Sequence, residues 1–102
     1  MLFKKDLSFT ECKNYLLVQI RQLEPTENSS TSKSIILKIQ KKNRIITIVL
    51  SIMNGKAILD ITDSYYLLRI PRETFTSIDK YKMYVIQLAS RLYDELGITN
   101  NG

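Results

Sequence analysis

The dipeptide Asn54-Gly55 lies between two runs rich in apolar residues, RIITIVLSIM before it and KAILDITD after it. A two-residue type I′ turn needs positive φ at both central positions, and Asn-Gly meets that need at the least steric cost. A turn there pairs 53 with 56, 52 with 57, 50 with 59 and 48 with 61. Side chains alternate between faces along a strand, so Ile48, Leu50 and Ile52 share a face with Ala57, Leu59 and Ile61. A tight turn at Lys42-Asn43 pairs 39 with 46, 37 with 48 and 35 with 50, which adds Ile35, Leu37 and Ile39 to that face. Another at Asp63-Ser64 pairs 61 with 66, 59 with 68 and 57 with 70, and adds Tyr66, Leu68 and Ile70. The three turns agree on one register, and the expectation is a four-stranded antiparallel meander over residues 34–70 with one apolar face.

Helical signals flank the meander. Ser8-Phe9-Thr10-Glu11 is a capping-box pattern, and Phe9, Cys12, Leu16, Leu17, Ile20 and Leu23 recur at helical spacing. A helix over 9–24, ended by Pro25, is expected; Leu16, Val18 and Ile20 also suit a strand. Residues 25–33 read as a polar loop, and Pro71 as the end of the last strand. Thr76 or Ser77 caps a second helix with the stripe Ile78, Tyr81, Val85, Leu88, Leu92 and Leu96, stopped by Gly97; the tail 98–102 is expected to fray. Two amphipathic helices and a sheet with one apolar face are satisfied by a two-layer α+β sandwich in the order α-β-β-β-β-α, both helices on one face. Residues 1–102 are read as a single domain.

Composition narrows the function classes. The chain has no His, which removes the usual general base and zinc ligand and the serine and cysteine triads. A Gly-rich phosphate loop and a paired nucleophile and base are also missing, so an enzyme, a cofactor and a metal are not expected. Cys12 is the single cysteine, on the apolar stripe, and reads as a buried thiol. There is no run of eighteen apolar residues and no apolar stretch after Lys4 and Lys5, so neither a membrane span nor a secretory leader is expected, and the location is read as cytoplasmic. Net charge is +5, which suits a polyanionic partner.

The face of the sheet opposite the helices is mixed: Ser34, Ile36, Lys38 and Gln40; Ile45, Thr47, Val49, Ser51 and Met53; Lys56, Ile58, Asp60 and Thr62; Tyr65, Leu67 and Arg69. Between Glu27 and Asp60 lie six cations and no anion, three of them (Lys41, Lys42, Arg44) around the first hairpin turn. Lysines at edges and turns also guard a sheet against aggregation, and that reading stands beside nucleic-acid contact and an acidic protein partner. Asp60 and Asp63 point to opposite faces, which argues against acid–base chemistry; Asp63 suits a turn cap.

The segment GKAILDITDSYYLL, followed by Ile78, Lys80, Tyr84 and Gln87-Leu88, resembles the smaller Alu-domain subunit of the eukaryotic signal recognition particle. Gly55, Thr62-Asp63, Leu68, Lys80, Tyr84 and Gln87-Leu88 carry the resemblance, over residues 48–92. It implies an α-β-β-β-α sandwich that pairs its sheet with a related subunit and binds RNA backbone on the shared open face. The extra strand at Ile35 to Lys41 departs from that pattern.

The expected function is therefore nucleic-acid binding, foremost RNA, through the open face and the basic hairpin. Lys38, Lys41, Lys42, Arg44, Lys56 and Arg69 would meet phosphates, and Tyr65 would stack a base. The expected partners are RNA or another single-stranded nucleic acid, with a homodimer or a heterodimer with a related subunit. The alternatives are a structural or adaptor protein dimerising through its sheet, and a single-stranded DNA-binding protein of the strand-meander-plus-helix type.

Overall fold

In the computed structural model residues 6–97 are described. The first helix, α1, spans Phe9–Gln19, and a short 3-10 turn comes after it at Arg21–Leu23. Five strands come next: β1 Thr26–Ser30, β2 Ser34–Lys41, β3 Arg44–Met53, β4 Lys56–Asp63 and β5 Glu73–Phe75. The second helix, α2, spans Ile78–Glu95. The strands form one antiparallel sheet in the order β1-β2-β3-β4-β5, with the helices on one face, so the α+β sandwich class holds with one strand more than expected.

The two central hairpins have the register read from the sequence. Ile48 pairs with Ile61, Leu50 with Leu59 and Met53 with Lys56, while Ile35 pairs with Leu50 and Ile39 with Ile46. All four turn residues have the positive φ of a type I′ turn: Lys42 (52°), Asn43 (64°), Asn54 (53°) and Gly55 (74°). Leu50 and Leu59 are fully buried, while Ser51, Asp60 and Thr62 lie on the other face.

The outer strands differ from expectation. Residues 65–70 form no strand; the chain turns aside after Asp63, and β4 is joined instead by β5, through Ala57 with Phe75, Ile58 with Thr74 and Leu59 with Glu73. Asp60 thus does not face Leu67, and Pro71 precedes the last strand rather than ending it. Tyr66, assigned to the core face, is 80% exposed; Leu68 is buried from a non-strand segment. On the other side, part of the polar stretch 25–33 is β1, which borders β2 with a bulge between Glu27 and Ser29 and is exposed along its whole length. Hydrogen bonding to a formed sheet edge stabilises this strand, not burial, so it has no apolar alternation.

Ser8 caps α1, accepting from the Glu11 N–H at 3.2 Å, and Ser77 caps α2 by accepting from the Lys80 N–H. The first helix is shorter than 9–24. Glu24 precedes Pro25, where helical backbone is disfavoured, and it adopts φ 54°. The Tyr93 hydroxyl donates to the Gln19 carbonyl and accepts from the Gln22 N–H, satisfying groups at the helix end. The Tyr81 hydroxyl donates to the Cys12 carbonyl at 2.7 Å, tying α2 to α1. Burial pushes the Cys12 thiol up to about 11, so it stays protonated at neutral pH. Gly97 lies just past α2 at φ 66° and stops it. The expectation for the tail falls on 98–102, outside the described residues.

Candidate nucleic-acid interface

The sequence predicts unneutralised cations at the first hairpin turn, and two of the three are engaged. Arg44 is only 7% exposed. It occupies the core-facing side of β3 beyond Ile46, where the sheet meets the last turn of α2. Its Nε and Nη2 donate to the two carboxylate oxygens of Asp63, the latter at 2.7 Å, and Nη1 donates to Glu95 at 3.5 Å. Sequence separation hides these acids: Asp63 and Glu95 lie far along the chain and are brought in by the β3–β4 register and by α2. The Arg44 guanidinium holds the Asp63 carboxyl well below the usual carboxylate range, with backbone N–H donors adding to the shift. The same hydrogen bonds to Asp63 raise the Arg44 pKa. Lys41 shares the core-side parity and reaches Glu24 at 3.9 Å. The Lys42 ammonium lies beside Gly97, at the carbonyl end of α2, where a cation is favoured.

Asp63 also shapes the loop that leaves β4. Its carboxylate accepts from the N–H groups of Tyr65 (3.1 Å), Leu67 (3.0 Å) and Leu68 (2.9 Å). Ser64 exchanges hydrogen bonds with the Ile45 backbone, donating through its N–H and accepting at Oγ. The loop is fixed at both ends and presents Tyr65, Tyr66 and Leu67 to solvent, each more than half exposed.

The remaining expected contacts fall in different places. Lys38 is exposed on the open face, in a cross-strand row that runs Thr26, Lys38, Thr47, Thr62. At the usual strand spacing this row is about 14 Å long. It ends beside the loop that carries Tyr65, because Thr62 immediately precedes Asp63. Lys56 is exposed but pairs with Met53, six positions along β3 from the partner of Lys38, or about 20 Å away. Arg69 is exposed beyond the loop. Among the described residues Lys38, Lys56, Arg69 and Arg72 take part in no ion pair.

Thus the structure brings Lys38, Tyr65 and Arg69 to one end of the sheet, puts Lys56 at the other, turns Lys42 toward α2 and removes Arg44 from the surface. Thr26, Thr47, Thr62 and Tyr66 join the candidate surface. Thr47 and Thr62 are legible from strand parity; Thr26 is not, because β1 carries no alternation, and Tyr66 reads as core as long as 65–70 is taken for a strand. Among the described residues no three His, Cys, Asp or Glu side chains gather to hold a metal ion, and no helix is long and apolar enough to cross a membrane. No family model, no curated protein and no solved structure matches the chain.

Proposed function

We propose that this protein binds single-stranded or irregular nucleic acid, RNA foremost, across the open sheet face at the end bearing Lys38 and the Asp63–Leu68 loop. The observation that carries the reading is the continuity of the Thr26–Lys38–Thr47–Thr62 row with a fixed loop exposing two tyrosines. Hydroxyls and lysine are the side chains that contact phosphate and sugar, and aromatic rings stack unpaired bases. Charge adds support. Net charge is +5, and the buried Asp63 carboxylate beside this end is paired with Arg44. The resemblance to the signal recognition particle subunit points to RNA, and a cytoplasmic setting goes with it.

A second reading is an adaptor that docks a protein, or a second copy of itself, on the open face. Ile36, Val49 and Ile58 are half-buried on a face that none of the described elements covers, and Met53 is exposed there. The edges suit that role less: β1 carries a bulge after Pro25, and β5 is three residues long, both of which disfavour edge-to-edge pairing.

Salt separates the two. Anisotropy titrations with single-stranded RNA, single-stranded DNA and duplex should give affinities that fall steeply with salt, and Lys38→Gln should flatten the slope by about one unit. Tight association at high salt with a second copy, and no binding to any nucleic acid at low salt, overturns the proposal in favour of the adaptor.

A further inference from the structure

The loop after β4 leaves a cleft beside the sheet. β5 takes up only Ala57, Ile58 and Leu59 of β4, so the outer side of β4 beyond Leu59 has no strand against it. A cleft of about 410 Å³ opens there, between Ile61, Thr62 and Asp63 on one side and Tyr66, Leu68, Arg69 and Ile70 on the other. That volume lies within the roughly 300–1,000 Å³ of small-molecule sites.

The lining is ordered by chemistry. Ile61 and Leu68 are buried and make an apolar floor. Tyr66 and Arg69 stand exposed at the rim, and the Thr62 side is exposed as well. Asp63, the only carboxylate in the lining, is fully covered and neutralised by Arg44, so it does not oppose an anion. Tyr66 contributes little to the fold: the residue is 80% exposed and its ring makes none of the aromatic contacts seen for Phe75, Tyr81 and Tyr84. Its backbone sits at φ 57°, in a region that disfavours a bulky side chain and suits glycine. An exposed aromatic ring held at a position that strains it is a sign of a role outside the fold.

We propose that this cleft takes one unpaired nucleotide of the bound strand, its base stacked on Tyr66 and its phosphate met by Arg69, with Thr62 within the same site. A flat, polar-edged ring attached to an anion fits an apolar floor with an aromatic and a guanidinium at the rim. The inference rests on the nucleic-acid reading and adds to it a defined subsite for one nucleotide, which would be the source of a preference for single strands over duplex.

The test compares a short single strand with the duplex of the same sequence, by anisotropy at fixed low salt, for the parent chain and for Tyr66→Gly, Tyr66→Phe, Arg69→Gln and Lys38→Gln. The parent should prefer the single strand. Tyr66→Gly should weaken single-strand binding roughly tenfold, as for one lost base–aromatic stack, while leaving duplex binding nearly unchanged. Tyr66→Phe should keep the preference. The urea midpoint of Tyr66→Gly should equal or exceed that of the parent, since glycine relieves the strain, which rules out misfolding as the cause. If Lys38→Gln weakens binding and Tyr66→Gly does not, the cleft proposal fails and the nucleic-acid reading stands. If the parent binds no oligonucleotide, both fail. If Tyr66→Gly instead abolishes binding to vesicles of anionic lipid, the loop is a membrane contact and the cleft proposal is overturned.

Discussion

The β2–β3–β4 meander and the segment from Asp63 to Phe75 both contain a chain reversal, and they are built by different means. In the meander each reversal is a two-residue turn whose own backbone preferences set it, and the alternating side chains on either side agree with that turn. After Asp63 the reversal is set by a side chain. The Asp63 carboxylate gathers three N–H groups of the next five residues and the Arg44 guanidinium, and the chain is led away from β4 before it returns as β5. A turn fixed by local conformation is legible in a window of a few residues. A turn fixed by a buried ion pair depends on a partner brought near by the sheet itself.

Breaking the carboxylate should therefore have the largest effect. Asp63→Ala leaves the buried Arg44 with only the more distant Glu95 and removes the acceptor for three backbone donors. The expected cost is about 3–5 kcal/mol, read as a fall in urea midpoint at neutral pH. The pH profile sharpens the same point. The folded-state pKa of Asp63 is depressed by Arg44, so below about pH 5 the unfolded chain binds more protons than the folded one. The contribution of Asp63 is complete above the ordinary carboxylate range near 4 and drains away as pH falls through and below it. The parent should lose stability along this acid limb, and Asp63→Ala should show a shallower loss; equal slopes in the two proteins would remove the ion pair from the account.

The local turn should be less costly to disturb. Gly55 sits at φ 74°, and a Cβ there would run into the Asp6 side chain; the Leu7 N–H donates to the Gly55 carbonyl at 3.0 Å, which holds that segment over the turn. Gly55→Ala should cost about 1–3 kcal/mol, with the far-UV spectrum unchanged, because the flanking register is held by the buried Leu50 and Leu59 as well as by the turn. A loss of the sheet signal in this variant would mean that the turn, not the apolar face, holds the register.

The same contrast separates the parts of the fold that are legible in the sequence from those that are not. Ile35 to Ile39, Ile46 to Ile52 and Ala57 to Ile61 alternate with period two around turns of known chemistry, so register, buried face and open face can all be written down in advance. Ser8 and Ser77 are legible as caps because capping is local. β1 is not legible, since a polar edge strand gains its stability from hydrogen bonds to a sheet already formed. Arg44 reads as a surface cation because nearby acids are absent in the sequence, yet it is the best paired cation in the described fold. Tyr66 reads as core from parity, and its exposure results from the turn that Asp63 makes. For the candidate site, Lys38 and Thr62 lie where parity puts them, whereas Tyr65 and Arg69 reach the same end from a loop where a strand is expected, and Thr26 depends on an edge strand that carries no alternation.

The smallest effect should come from Lys41, the cross-strand partner of Arg44. The two residues pair at the end of the same hairpin, carry the same charge and lie on the same side of the sheet, yet their environments differ. Arg44 makes two-point contact with a covered carboxylate, at 2.7 and 3.4 Å. Lys41 reaches one oxygen of Glu24 at 3.9 Å, and the Glu24 side chain is 82% exposed. Exposed pairs of this kind are screened by solvent and must hold two long side chains in one geometry, so they contribute from nothing to about 1 kcal/mol. Lys41→Gln should accordingly shift the urea-derived stability by no more than about 0.5 kcal/mol, and added salt should erase even that difference. A cost approaching that of Asp63→Ala would show instead that the whole hairpin end is one coupled network, and that Glu24, just before Pro25, helps to hold β1 against the sheet.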